Sequence, residues 1–258
     1  MAAITPAREL FDLTGEVALV TGASSGLGQR FAEVLAAHGA SVVLAARRSE
    51  RIEALSQRLG KAMAITLDET KPDTFETAFK AMEARFGPVT LLINNAGTAT
   101  SGAFLKTSRE SWERVIDTNV SALWHLSQAF ARRLVATKNR GSIINVASIL
   151  GFRVRPGVSA YSISKAAVVQ MTQALAVALA CDGIRVNGIA PGYIWSEMTE
   201  EFLKSEVGQA MIKTIPLRRV GEPSDLDGSL LLLASRKASD FMTGSTITVD
   251  GGHMWAFL

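Results

Sequence analysis

Ser148, Tyr161 and Lys165 follow one another at intervals of thirteen and four residues, and the second interval is about one helical turn. A tyrosine and a lysine at i and i+4 share a helix face, which sets an ammonium beside a phenol. Free tyrosine loses its proton near pH ~10, so it works as an acid or base at neutrality only where a cation favours the phenolate, and Lys165 is expected to be that cation. Tyr161 would then protonate a developing alkoxide while Ser148 holds and polarises the carbonyl oxygen. Taken singly, a helix tyrosine is ordinary packing and a helix lysine is ordinarily solvated. The joint spacing behind an apolar strand points to catalysis.

Such chemistry needs a hydride donor, and a site for one stands at the other end of the chain. The run Thr21-Gly22-Ala23-Ser24-Ser25-Gly26-Leu27-Gly28 comes directly after an apolar strand and opens an amphipathic helix with Phe31, Val34 and Leu35. Gly22, Gly26 and Gly28 let the backbone approach a pyrophosphate, which the N–H groups of the loop and the helix start would meet at Ser24, Ser25 and Leu27. The second strand ends Leu44-Ala45-Ala46-Arg47-Arg48, where NAD-binding sheets carry an acidic residue. Ala46 leaves space and Arg47 can grip a phosphate bidentately, so NADP(H) is the expected cofactor and NAD(H) the alternative. Solvated loop charges are the plainer reading of the two arginines. Asp68 would accept from the adenine amine or else cap a turn, and Asn95, Ala96 and Gly97 lie where a dinucleotide crosses the sheet edge. Asn95 could equally brace strands.

These residues need a scaffold, and the sequence supplies an alternation. Strand-like runs at Val17–Val20, Val42–Leu44, Ala64–Leu67, Leu91–Ile93, Ile143–Val146, Ile184–Val186 and Ile247–Val249 are separated by helical periods at Leu27–Ala37, Arg51–Leu59, Thr74–Phe86, Ser111–Leu134, Ser162–Ala180 and Asp225–Ala234. Apolar strands joined by crossover helices predict a three-layer α/β/α sandwich with a doubly wound, seven-stranded parallel sheet. An eight-stranded barrel is the rival, and the phosphate loop on the first strand speaks against it. No linker or repeat divides residues 1–258, so one domain is expected.

Composition narrows the classes. Lys plus Arg number 27 against 24 Asp plus Glu, a net charge of +3 with no long basic cluster, so a nucleic-acid partner is not implied. The single cysteine, Cys181, excludes an internal disulfide, suits a reducing compartment and reads as a packed thiol. His38, His125 and His253 lack ligand-spaced partners, so no metal is expected. No uninterrupted apolar run reaches a membrane span, and a cytoplasmic protein is expected.

Over about residues 12 to 252 the chain resembles the short-chain dehydrogenase/reductases, in the NADP-preferring pattern. The matching segments, in order, are Thr21–Gly28, Asp68, Asn94–Gly97, Asn119, Ser148, Tyr161–Lys165 as Tyr-Ser-Ile-Ser-Lys, Pro191–Gly192, and Val-Asp-Gly-Gly ending at Gly252. The resemblance implies a catalytic group of Asn119, Ser148, Tyr161 and Lys165, with the Asn119 backbone holding a water that links Lys165 to solvent. It also implies that Lys165 and Tyr161 hold the nicotinamide ribose, and that Pro191, Gly192, Ile194 and Ser196 fasten the carboxamide end. Ser196 stands where a threonine is expected and keeps the hydroxyl. Similar proteins are commonly homotetramers, and the helix after Ser162 carries apolar residues nearly all round, which calls for cover on more than one side.

Specificity is expected from Thr98–Leu105, Ile149–Val158 and a lid over about 193–215, whose Tyr193, Trp195, Met198, Phe202, Val207 and Met211 would form an apolar underside. An apolar ketone/alcohol pair is the expected substrate. The alternatives are a 3-oxoacyl-[acyl-carrier-protein] reductase, a sugar or steroid dehydrogenase, and, from another class, a non-catalytic NADP-sensing regulator.

Overall fold

The computed structural model describes residues 4–256; residues 1–3 and 257–258, part of the expected single domain, lie outside the described residues. Seven parallel strands form one open sheet in the order β3-β2-β1-β4-β5-β6-β7, which removes the barrel alternative. Their ranges are β1 Val17–Thr21, β2 Ser41–Ala46, β3 Ala62–Thr66, β4 Leu91–Asn94, β5 Gly141–Val146, β6 Ile184–Pro191 and β7 Thr246–Val249. Every residue of β1, β4, β5 and β6 is buried, as strands covered on both faces must be. One covering layer is built from α2 (Gly26–Ala37), α3 (Ser49–Leu59) and α10 (Asp227–Ala234), with Phe31, Leu35, Ile52, Leu230 and Leu233 in its core. The other is built from α4 (Phe75–Phe86), α6 (Ala122–Thr137) and α7 (Ser159–Leu179), through Phe79, Met82, Leu126, Phe130 and Ala176. Because β1 lies between β2 and β4, successive connections leave its carboxyl end in opposite directions, and a crevice opens there.

The remaining helices are α1 (Ala7–Leu10), α5 (Arg109–Ile116), α8 (Glu200–Lys204), α9 (Glu206–Ile212) and α11 (Arg236–Ser239). Several boundaries differ from the sequence expectation for physical reasons. The predicted single helix over Ser111–Leu134 divides into α5 and α6 around a π turn at Asp117–Ser121, which hydropathy does not register. β3 begins and ends earlier, and Ser148 lies two residues past the end of β5. Cys181 is exposed on a short 3₁₀ turn at Ala180–Asp182 after α7, rather than packed. The segment Ser159–Asp182 is long and apolar enough to cross a membrane by length and composition; in this fold α7 packs on β6 and carries Tyr161 and Lys165.

A buried polar ladder pins β4 and β5 to α6 and α7. Asn94 Nδ2 donates to Ser127 Oγ on α6 and to Asn145 Oδ1, both at 2.9 Å. Asn145 Nδ2 donates onward to Thr172 Oγ1 at 2.9 Å, and Thr172 donates to the Val168 carbonyl of α7 at 2.8 Å. An orphaned buried polar group costs about 1–3 kcal/mol. Asn145→Ala strands partners on both sides, and urea unfolding should show a loss of about 2–4 kcal/mol. A loss below about 1 kcal/mol would show that the ladder is not what holds these layers together.

Candidate active site

The crevice begins where β1 and β4 are clasped together. Thr21 Oγ1 accepts the backbone N–H of Asn95 at 3.1 Å and of Ala96 at 2.9 Å, while Asn95 Nδ2 donates to the Thr21 carbonyl at 2.9 Å. Asn95 therefore does brace the two strands. A Cβ on Gly28 would fall 2.3 Å from the Gly22 carbonyl oxygen and 2.5 Å from Asn95 Nδ2, so helix α2 can approach the loop only because that residue is glycine. Gly22 and Gly26 take φ of +63° and +56°. No side chain caps α2 at Ser25, so its first N–H groups face the crevice free to receive an anion.

A groove of about 790 Å³ runs from this loop to Tyr161. Of the residues expected at the site, it is lined by Gly22, Ser24, Ser25, Gly26, Leu27, Arg47, Asp68, Asn95, Ala96, Gly97, Ser148, Tyr161, Lys165, Pro191, Gly192, Ile194 and Ser196. Gly28 and Asn119 do not line it and stand behind its wall. An elongated groove with a bare helix start and a glycine cradle fits a dinucleotide.

At the carboxyl end of β2 and β3, Arg48 rather than Arg47 makes the side-chain bonds. It donates to Ser24 Oγ at 2.9 and 3.1 Å and to Ser25 Oγ at 2.7 Å, and pairs with Glu197 at 3.4 Å. Glu197 also pairs with Arg51 at 2.7 Å. Asp68 Oδ1 accepts from Thr70 Oγ1 at 2.6 Å and Thr70 N–H at 3.1 Å, which holds its carboxyl below the usual range and makes it a turn cap. Sequence reasoning passed over Arg48 and the groove-lining Glu69. Their adjacency to Arg47 and Asp68 was the available signal.

On the catalytic side, Ser148 caps the 3₁₀ turn Ile149–Gly151 by accepting Leu150 N–H at 3.1 Å. Gly151 presses this turn against α7, where a Cβ would sit 2.7 Å from the Lys165 carbonyl oxygen. Lys165 is 5% exposed, and its Nζ donates to the Val146 carbonyl at 2.7 Å and lies 5.7 Å from the Tyr161 ring centre. Burial pushes its pKa down to about 8. The Tyr161 hydroxyl is pushed upward by burial, against the pull of the Ser148 hydroxyl, with nearby Tyr193 adding to the rise. This differs from the expectation that Lys165 acidifies Tyr161. Desolvation acts on both groups, and the ammonium is engaged by a backbone carbonyl.

Asn119 is buried in the π turn, with its amide fully used: Nδ2 donates to the Thr98 carbonyl and to Ser164 Oγ at 2.9 Å each, and Oδ1 accepts Thr98 N–H at 2.8 Å. A Cβ on Gly97 would stand 3.4 Å from Asn119 Oδ1 and 3.6 Å from Lys165 Nζ, so these three residues share one small space.

Over the groove, Thr199 Oγ1 donates to the Ile194 carbonyl at 2.6 Å and accepts Ser196 N–H at 3.1 Å, closing the turn that follows Pro191 and Gly192. The segment over 193–215 holds α8 and α9. Its underside is only partly the one expected: Tyr193, Trp195, Phe202 and Met211 are half-buried, Met198 and Val207 are exposed, and Leu203 and Ile215 are buried in addition. Phe152 and Val154 are also exposed. Next to Val154, Arg155 donates to the Tyr193 hydroxyl at 2.6 Å and stacks 4.4 Å over Phe202, with no acidic partner among the described residues.

The Lys165 geometry generates a pH test. The unfolded lysine titrates near 10.5 and the folded one near 8, so below pH 8 the folded state carries the full cost of the buried charge. Between those values the unfolded chain binds more protons, and stability gains as pH rises. Lys165→Met should therefore gain more over the native protein at pH 7 than at pH 10, by up to about 3 kcal/mol in urea unfolding. An advantage equal at both pH values would mean that Lys165 is not a desolvated cation.

Residues 22–254 match a family model described as enoyl-(acyl carrier protein) reductase. The chain is 37% identical over 249 residues to a gluconate 5-dehydrogenase of Gluconobacter oxydans, covering 95% of this chain and 96% of that one. It is 36% identical over 242 residues to a 3-oxoacyl-[acyl-carrier-protein] reductase of Vibrio cholerae, covering 93% and 98% respectively. Among solved structures, a gluconate 5-dehydrogenase from Burkholderia cenocepacia in complex with NADP and tartrate superimposes with a TM-score of 0.93 at 32% identity, covering 98% of this chain and 100% of that one.

Proposed function

From the premise that this chain belongs to the short-chain dehydrogenase/reductase family, as an oxidoreductase of CH–OH groups that uses NAD(P), we propose how its own residues divide the work. A bound nicotinamide supplies or accepts the hydride. Ser148, fixed at the mouth of β5, hydrogen-bonds the substrate oxygen, and Tyr161 donates its hydroxyl proton to that oxygen in reduction or removes it in oxidation. Lys165, whose ammonium lies 5.7 Å from the Tyr161 ring centre, contacts the nicotinamide ribose. Asn119 keeps the π turn open by its side-chain bonds, with its backbone positioned to hold a water between Lys165 and solvent. Pro191, Gly192, Ile194 and Ser196 fasten the carboxamide end. The observation that carries this reading is the convergence of Ser148, Tyr161 and Lys165 on the groove that starts at the glycine cradle.

NADP(H) is the preferred cofactor, supported by the absence of a carboxylate at Ala46 and by Arg47 and Arg48 lining the same end of the groove. The whole chain acts as one domain in the cytoplasm, with α8 and α9 as its lid. A dimer of dimers is supported by an apolar depression of about 400 Å³ between α6 and α7, lined by Trp124, Val135, Leu175 and Leu179, and by Val177 on another face of α7, which is 83% exposed. Sedimentation at micromolar protein should give a tetramer, and Val177→Glu should shift it to smaller species. A native monomer would overturn the assembly.

The substrate is a ketone or secondary alcohol, and the apolar side chains of Ile194 and Met198 on the groove wall suit a carbon chain or ring. A second reading is favoured by Arg155: a half-buried guanidinium without an acidic partner, held by Tyr193 and Phe202, would receive a substrate carboxylate, as in a sugar acid. Assay of NADPH oxidation against neutral ketones and oxo-acids separates the two. Tyr161→Phe should retain NADPH binding by fluorescence titration and lose about 10²–10⁴-fold in turnover. Undiminished turnover would remove Tyr161 from the chemistry, and native protein that binds NADPH yet turns over nothing would make this a cofactor sensor.

A further inference from the structure

Beside Asp68, Glu69 turns its carboxyl inward. It lines the groove at the end shared with Gly22, Arg47 and Arg48, and its Oε1 is buried with no hydrogen-bond partner. A buried acceptor left unpaired is rare in a folded protein and marks a place where something else completes the bonding. Asp68, the acid expected to read the adenosine, is occupied otherwise: Oδ1 is held by Thr70, and Oδ2 lies 4.0 Å from Lys71 Nζ. We infer that Glu69 is a cofactor-selectivity residue, which accepts a hydrogen bond from the adenosine of the bound dinucleotide and, when ionised, opposes the 2′-phosphate that distinguishes NADP(H) from NAD(H).

The charges around this carboxyl set the balance. Asp68 from the end of β3 repels it, Arg47 from the end of β2 attracts it, and the N–H groups of Gly22 and of Glu69 itself favour its ionised form. Burial outweighs them and raises the carboxyl to about 7. Arg48 is already engaged by Glu197 across the groove mouth. An incoming 2′-phosphate thus meets two guanidiniums, each with a carboxylate near it. Above neutrality Glu69 adds a like charge that the phosphate must face, and below neutrality it is neutral and can donate as well as accept. NAD(H), which has hydroxyls at that position, loses little from the ionised form, because a carboxylate accepts from a ribose hydroxyl as it does in NAD-binding sheets.

This inference rests on the reading that Arg47 and Arg48 form the 2′-phosphate end, and one set of titrations tests both. Dissociation constants for NADPH and NADH are measured by fluorescence on the full-length protein at pH 6.5 and 8.5, for the native chain, Glu69→Gln, and Arg47→Met/Arg48→Met. The native preference for NADPH over NADH should fall about tenfold from pH 6.5 to 8.5. Glu69→Gln should hold a pH-independent preference, higher than the native one at pH 8.5. Parallel pH dependence in native and Glu69→Gln proteins, or an equal loss of both cofactors in the variant, would overturn the role of Glu69. Should the double arginine variant bind NADPH as tightly as the native protein, the 2′-phosphate assignment fails instead. A measurement without any substitution guards against a poorly folded variant: calorimetry at pH 7 in two buffers of different ionisation enthalpy should show net proton uptake with NADPH exceeding that with NADH. Equal uptake, or net release, would contradict the proposal.

Discussion

Everything at the site depends on how closely β1 and β4 are drawn together at the point where the sheet changes direction. The Thr21 hydroxyl takes two backbone N–H groups from Asn95 and Ala96, and Asn95 returns a bond to the Thr21 carbonyl. With both strand ends tied, Gly28 can slide under Gly22 with no room for one more carbon. The start of α2 is thereby aimed into the crevice with its N–H groups uncapped. A looser clasp would let the loop close on itself, and the anion site would be lost with it. The same clasp places Gly97 over Lys165 and Asn119, so the glycine loop and these two residues are packed against one another.

The opposite wall is built differently. Residues 193–215 make two short helices held by a few local bonds, with Met198 and Val207 exposed, and the only buried large apolar side chains among the described residues of this segment are Ile194, Leu203 and Ile215. A site with one wall fixed by buried bonds and the other hinged on three apolar anchors can admit substrates of different outline while keeping the reacting atoms in register. Such an arrangement agrees with relatives that share this fold and carry names as different as gluconate 5-dehydrogenase and 3-oxoacyl-[acyl-carrier-protein] reductase.

What could be read from the sequence was whatever depends on spacing along one element. The tyrosine and lysine one turn apart, the glycines between a strand and a helix, and the apolar strand runs all survive translation into space because a helix or strand fixes its own geometry. What could not be read depends on which of two neighbours turns inward. Arg48 rather than Arg47 bonds the loop serines, Asp68 caps its own turn while Glu69 faces the groove, and Leu203 rather than Val207 is buried under the 193–215 segment. Adjacent side chains on a loop or short helix have no periodicity to separate them. The same limit applies to Tyr161: the sequence shows the nearby ammonium, whereas burial and the Val146 carbonyl that engages Lys165 are properties of the assembled fold.

The widened turn at Asp117–Ser121 carries a consequence for how this chain tolerates change. One residue more than an α-turn requires shifts the angular phase of everything before it by about 100° relative to α6. Arg114 and Thr118 reach the groove from this stretch, while Leu126 and Phe130 of α6 stay turned to the sheet. Deleting a single position there would restore a continuous helix at no cost in backbone bonding, yet it would swing the entire preceding face away from the crevice. Insertions and deletions are thus confined by rotation rather than by burial, and a segment that looks like an imperfection works as a gear tooth between the two halves of the site.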